Sequence, residues 1–317
     1  MGTTKNSRRT KQTRSSSAPA ACAVTSRLLR RWPLPQLDAA ADKEERGRVL
    51  VVGGAPEMPG AVILAATAAL RAGAGKLQIA APHSIAQAVA TTIPESLVIA
   101  LPETKSGAVA AAATKQIIEK ANEAQAVLIG PGMVDEKAVT RLMQNLLPQL
   151  ERSTVIIDAA ALACVKDDER IFQPLRGRVV LTPHAGEMAH MTGANKSAIM
   201  RGPCKAAQKA AESLRAIIAL KGAETFIAAP HERVYCNRAG NSGLATSGSG
   251  DTLSGIIAGL AARGAAPLQA AVWGVHLHGV AGDKLAKRIG PIGFLARELL
   301  AEIPAVMSQL DGRKKKK

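Results

Sequence analysis

Aromatic side chains are nearly absent from this 317-residue chain, which has two Trp, one Tyr and three Phe. That scarcity speaks against binding of single-stranded nucleic acid by stacking bases on aromatic rings. It also means that a core drawn from the 47% of apolar residues is built from Ala, Val, Leu and Ile, which suits helices packed closely on a sheet. Cysteine is sparse too. Cys22, Cys164, Cys204 and Cys236 lie far apart with no CxxC pair. This argues against a disulfide framework or a zinc site and favours reduced thiols in a cytoplasmic protein. No uninterrupted apolar run approaches the roughly 18 residues of a membrane span.

The net charge of +16 would suggest a nucleic-acid partner if it were spread along the chain. It is concentrated at the ends. Residues 1–48 carry +7, from 11 Lys/Arg and 4 Asp/Glu, and residues 311–317 carry +4, leaving +5 for residues 49–310. Basic tails can attach to anionic surfaces; the reading adopted is a solvated extension at each end, with no nucleic-acid partner. Residues 1–26 are basic, rich in Ser and Thr and free of acids. They loosely resemble an organelle transit peptide, but lack an amphipathic stripe and are read as a disordered basic extension. Residues 27–310 are read as one domain, entered through a turn at Trp32-Pro33-Leu34-Pro35, and residues 311–317 as a basic tail.

Regular patterning begins at Arg48. Val49–Val52 is a short β-branched run ending in Gly53-Gly54, as a buried parallel strand would. An Ala-rich helix is expected from about Gly60 to Ala72, then a strand over Lys76–Ala80. Strands are likewise expected at Ala126–Ile129, Thr154–Ile157, Val179–Leu181 and Ala216–Leu220. They are followed by Gly130-Pro131-Gly132, Asp158, Thr182-Pro183-His184 and Lys221-Gly222 respectively. Asp251–Met307 reads as helices. Strand, functional turn and helix in alternation predict an α/β fold whose site lies at the carboxyl ends of the strands.

The most informative stretch is Gly240–Asp251, a dozen small or polar residues running straight into the helical pattern Thr252–Leu260. Small residues let backbone amides approach a phosphate, and a helix N-terminus adds its positive dipole end. Asp251 at that helix start could cap the helix, or could take a proton from a hydroxyl as it attacks a phosphoryl group. The length of the loop favours the second reading.

Gly248-Ser249-Gly250-Asp251 opening a helix is similar to the anion hole and base of ribokinase-like small-molecule kinases. Within that superfamily, residues 47–307 resemble the nucleotide-dependent NAD(P)H-hydrate dehydratases. The resemblance rests on Gly47–Gly54, Met58-Pro59-Gly60-Ala61, Ala69–Gly75, Ile129–Gly132, Leu181–Glu187 and Leu220–Ala223, in that order. It implies a central, mostly parallel sheet between two helical layers. It implies further that the S epimer of hydrated NADH or NADPH is dehydrated, with ADP or ATP as co-substrate and Mg²⁺ as cofactor. The ring hydroxyl would be phosphorylated and the phosphate then eliminated. A small-alcohol kinase of the same superfamily is the alternative.

By motif position, the resemblance makes Asp251 the catalytic base. Ala61, Gly132, His184 and Asp251 would contact the hydrated dinucleotide. Lys221, Gly222, Ala223, Glu224 and Thr225, with Gly248, Ser249 and Gly250, would bind the nucleotide. Glu187 would either organise Mg²⁺ through water or cap the helix that follows it. A homo-oligomer, in particular a tetramer, is implied as well. Only about 46 residues precede the matching region, too few for the epimerase domain fused to many such enzymes, so a separate epimerase is expected as functional partner. His276 and His278 sit two apart on a helical stretch, hence on different faces, and are not read as a catalytic pair. The chain departs from the family pattern at Ala160, where a second aspartate is usual, at Met133, where a glycine is common, and at Ser247, which replaces the first of two glycines.

Overall fold

Each strand of the expected series carries two sets of apolar side chains, one for each face of a sheet. In β2 (Arg48–Val52), Val49 and Val51 join one buried layer while Leu50 and Val52 join the other. The computed structural model describes residues 21–36, 42–166, 168 and 170–311. The remaining strands are β1 (Cys22–Ala23), β3 (Lys76–Pro82), β4 (Ser96–Leu101), β5 (Ala126–Ile129), β6 (Thr154–Ile157), β7 (Val179–Leu181), β8 (Ile217–Leu220), β9 (Thr225–Ala228) and β10 (Tyr235–Asn237). They form one sheet in the order β1-β10-β9-β8-β7-β6-β5-β2-β3-β4. From β4 to β8 every pairing is parallel, and β9 is antiparallel to both β8 and β10. This is the mostly parallel, helix-flanked sheet expected of a ribokinase-like fold.

One helical layer holds Pro59–Arg71, Ser249–Ala262, Pro267–Arg288 and Ala296–Asp311; the other holds Thr114–Asn122, Glu136–Leu146, Ala185–Thr192 and Pro203–Leu214. The chain runs outward through β2, β3 and β4, then returns to lay β5 against the other side of β2. That reversal opens a crevice at the carboxyl ends of β2 and β5, where open α/β sheets bind their ligands.

The N-terminal segment differs from the sequence reading. The basic extension was expected to run to residue 26, but Cys22–Ala23 pairs in parallel with β10 and Ser26–Arg31 is helical, capped by Thr25. Residues 1–20 and 312–317, the bulk of both expected tails, lie outside the described residues. The expected turn at Trp32–Pro35 is anchored by a helix far along the chain. The Trp32 carbonyl accepts from Trp273 Nε1 at 2.8 Å, and the Pro33 carbonyl from Gln269 Nε2 at 2.8 Å.

The helices Pro59–Arg71 and Ser249–Ala262 approach each other closely because small residues face each other across the contact. A Cβ added at Gly255 would lie 2.1 Å from the Ala65 carbonyl oxygen. Backbone cannot yield as a side-chain tip can, so Gly255→Ala is expected to cost about 3 kcal/mol. Thermal melting should show a loss of roughly 5–10 °C; a melt coincident with wild type would contradict this packing. The same contact places the first turn of Ser249–Ala262, and so Asp251, over the sheet.

Candidate active site

The helix Ser249–Ala262 begins without a side-chain cap: its N-cap is Gly248, in the left-handed region at φ 84°. The Ser249 amide donates to the Thr246 carbonyl at 3.2 Å and the Thr252 amide to the Gly248 carbonyl at 3.0 Å. Among the described residues, the amides of Gly250 and Asp251 have no backbone acceptor. Open amides at a positive dipole end are what an anion requires.

Around this turn, strand ends contribute charge. Lys221, just after β8, donates from Nζ to Asp158 Oδ1 at 3.0 Å and lies 3.7 Å from Glu187 Oε2. Asp158, just after β6, is buried and also accepts from Thr182 Oγ1 at 2.8 Å. Lys221 Nζ would lie 3.4 Å from a Cβ on Gly250, so the ammonium sits against the helix start. Burial pulls the Lys221 ammonium down, but Asp158, Glu187 and Asp251 outweigh it and hold its pKa above the ordinary value. Asp251 is pushed up to about 6, first by burial and then by the charge of Asp158; Lys221 acts in the opposite direction. A carboxylate so poised is ionised at neutral pH yet basic enough to take a proton.

A cavity of about 800 Å³ opens beside this cluster, a volume suited to a small-molecule ligand. Its walls include Lys221, Gly222, Ala223, Thr225, Ser249 and Gly250, so six of the eight expected nucleotide residues share one space. Gly248 and Glu224 do not line it; the Glu224 carboxylate pairs with Arg238 Nε at 2.5 Å. His184 lines the cavity and also caps the helix Ala185–Thr192, its Nδ1 accepting from the amides of Gly186 at 2.9 Å and Glu187 at 3.1 Å. Glu187 Oε2 accepts in return from the His184 amide at 2.7 Å. Of the two readings open for Glu187, its geometry is that of a capping box.

Ala61 and Gly132 meet elsewhere, at the ends of β2 and β5, and do not line the cavity. Gly132 has φ 67°, and a Cβ there would lie 2.9 Å from that of Ala61. Position 160, where the second aspartate is missing, is a partly buried alanine packed against the core layer that includes the helix Glu136–Leu146. The remaining carboxylate, Asp158, is the one paired with Lys221.

The sequence reading missed Asp158 as a member of the cluster, and missed the cavity wall formed by Asn237 and His278; Asn241, which also lines it, belongs to the Gly240–Asp251 stretch already singled out. His276 and His278, on one helix, have separate partners. His276 Nδ1 lies 2.8 Å from Asn237 Oδ1, while His278 Nε2 lies 3.1 Å from Ser249 Oγ. The signal available for Asp158 was its place directly after the buried run Thr154–Ile157; for the histidines there was none.

Among the described residues, no group of three or more His, Cys, Asp or Glu side chains is arranged to hold a metal ion, and no helix is long and apolar enough to cross a membrane. The carboxylates of this cluster, Asp158, Glu187 and Asp251, are oxygen donors of the type that Mg²⁺ takes.

The chain is similar to several known proteins. The chain is 46% identical to the ADP-dependent (S)-NAD(P)H-hydrate dehydratase of Xanthomonas campestris pv. campestris, over 90% of this chain and 96% of that one. It is 42% identical to the bifunctional NAD(P)H-hydrate repair enzyme of Moorella thermoacetica, over 89% of this chain and 53% of that enzyme, about half its length. It superposes on the crystal structure of the Bacillus subtilis ADP/ATP-dependent NAD(P)H-hydrate dehydratase, co-crystallized with ATP and Mg²⁺. There the TM-score is 0.76 at 29% identity, covering 92% of this chain and 100% of the other. With a family model described as NAD(P)H-hydrate dehydratase matching residues 49–305, the chain belongs to the NAD(P)H-hydrate dehydratase family.

Proposed function

We propose that this protein dehydrates the S epimer of hydrated NADH or NADPH, using ADP or ATP as phosphoryl donor. The observation that carries the reading is a nucleotide-sized cavity that ends at an uncapped helix turn, with Asp251 in that turn and the Lys221 ammonium against it.

The terminal phosphoryl group sits at the open amides of Gly250 and Asp251, and the Lys221 ammonium draws off charge as it transfers. Glu187 caps its helix through Oε2, so Oε1 is the atom that would hold a nucleotide-borne Mg²⁺ through water, and the ion would neutralise phosphate charge. Asp251 takes the proton of the ring hydroxyl as that oxygen attacks phosphorus. The bond to the bridging oxygen breaks, releasing AMP from ADP or ADP from ATP. The phosphorylated ring then loses phosphate and a ring proton, which restores the dihydronicotinamide. Phosphate leaves far more readily than hydroxide, so phosphorylation makes the dehydration feasible. Ala61 and Gly132 border the crevice where the dinucleotide would lie, and His184 lines the nucleotide cavity.

The test is recovery of absorbance at 340 nm from S-form hydrated NADH with Mg²⁺ and either nucleotide. Recovery that requires nucleotide and releases one phosphate per ring supports a dehydratase. A stable phosphorylated alcohol, with no recovery from the hydrate, would place the chain among small-molecule kinases instead.

A further inference from the structure

One helix, Pro267–Arg288, sends three polar side chains to three separate segments of the cavity wall. His276 Nδ1 is 2.8 Å from Asn237 Oδ1. His278 Nε2 is 3.1 Å from Ser249 Oγ. Asp283 accepts from the Gly240 amide at 3.0 Å and from Asn241 Nδ2 at 3.1 Å. Asn237, Gly240, Asn241 and Ser249 all line the cavity, as His278 itself does. The helix is also pressed against the 239–244 loop, for a Cβ at Gly279 would lie 2.4 Å from the Ala239 carbonyl oxygen.

We propose that His278 is a positioning residue of the nucleotide site, holding the Ser249 hydroxyl so that the open amides of the following turn face the terminal phosphate. The inference rests on reading the cavity as a nucleotide site. Ser249 is the first residue of its helix and buried, and its neighbours Gly250 and Asp251 carry the amides that have no backbone acceptor. Two buried polar groups that satisfy each other cost little. Unlike an apolar contact, they also fix a rotamer and a direction. The link does not switch near neutral pH, because burial holds the His278 imidazole down to about 4 and keeps it neutral. His278 does not act as a base; it acts through Ser249.

A double-mutant cycle tests this with the full chain, reading ATP and ADP affinity in the presence of Mg²⁺ by calorimetry alongside steady-state kinetics. His278→Ala is expected to weaken nucleotide binding about tenfold, the worth of one well-made buried hydrogen bond, with a matching rise in nucleotide KM. Ser249→Ala should have a similar effect. The double variant should be little worse than either single one, as expected for coupled partners. His278→Gln places an amide nitrogen near the Nε2 position and should recover affinity to within about threefold of wild type. If His278→Ala fails to fold, His278→Leu fills the same volume without a polar atom and completes the cycle. Additive losses, or no rescue by Gln with the fold intact, would overturn the positioning role. Failure of the wild-type chain to bind either nucleotide would overturn the reading of the cavity itself.

Discussion

Asp251→Asn is expected to slow nucleotide-dependent recovery of NADH from its hydrate by about 10²- to 10⁴-fold while leaving ATP and ADP affinity within a few-fold of wild type. Asparagine keeps the size and polarity of the side chain but cannot take a proton. Stability should move the other way. The folded Asp251 carboxyl sits at about 6, against 3.8 for an unperturbed aspartate, because burial and then Asp158 oppose its charge. A raised carboxylate costs the folded state nothing below pH 3.8, progressively more as pH rises to about 6, and a constant amount above that. At pH 7.5 the variant escapes a penalty on the order of 3 kcal/mol, so its melting temperature should exceed that of wild type by several degrees. The gap should shrink toward pH 4. In the wild-type enzyme the same titration predicts an acid limb in kcat/KM with an apparent pKa of about 6. An Asp251→Asn enzyme with undiminished turnover would remove the base assignment. A loss of turnover matched by an equal loss of nucleotide affinity would make Asp251 a binding residue.

The parts of this site that were legible in the sequence are local in the chain. Gly248–Asp251 announces itself because a phosphate-binding turn needs consecutive small residues immediately before a helix. Lys221 and His184 were found because each follows an apolar run, and buried parallel strands expose their carboxyl ends. The strand series itself was readable from Val49–Val52 to Leu220 because strands buried on both faces are nearly continuous apolar runs. What was not legible depends on side chains meeting across long separations. Asp158 and Lys221 are 63 residues apart and His278 and Ser249 are 29 apart. No local pattern marks His278 as different from His276, although only His278 lines the cavity. β1 was hidden for a related reason. Two residues carry no periodicity, and only the exposed edge of β10 makes Cys22–Ala23 a strand. Glu187 shows the converse limit. Its spacing from His184 fits a capping box and a water-bridged cation equally well, and only the short contact to the His184 amide shows how the carboxylate is used.

The three carboxylates around Lys221 explain why one cation is indispensable there. Asp158, Glu187 and Asp251 all act on its ammonium, and a nucleotide brings further negative charge to the same place. Lys221→Met keeps the length and apolar stem but removes the charge, leaving buried carboxylates without their counter-ion at a cost of about 3 kcal/mol or more. Nucleotide affinity should fall by roughly 10²-fold, more than for any other variant considered. Lys221 is the group that lowers the Asp251 pKa, so its removal should carry the acid limb of the residual activity above pH 6. Stability adds an independent check. Lys221 has a raised folded pKa, so in the wild type its contribution is fully present below about 10.4 and lost only as pH rises through that raised value. The deficit of the variant should therefore be large at pH 8 and should lessen near pH 5, as the unbalanced carboxylates protonate. Calorimetric titration with ATP and melts at the two pH values read all three effects. Unchanged ATP affinity in a folded Lys221→Met protein would show that the phosphates do not lie between Lys221 and the helix start. An acid limb that stayed near 6 would show that Asp251 does not sense this charge during turnover.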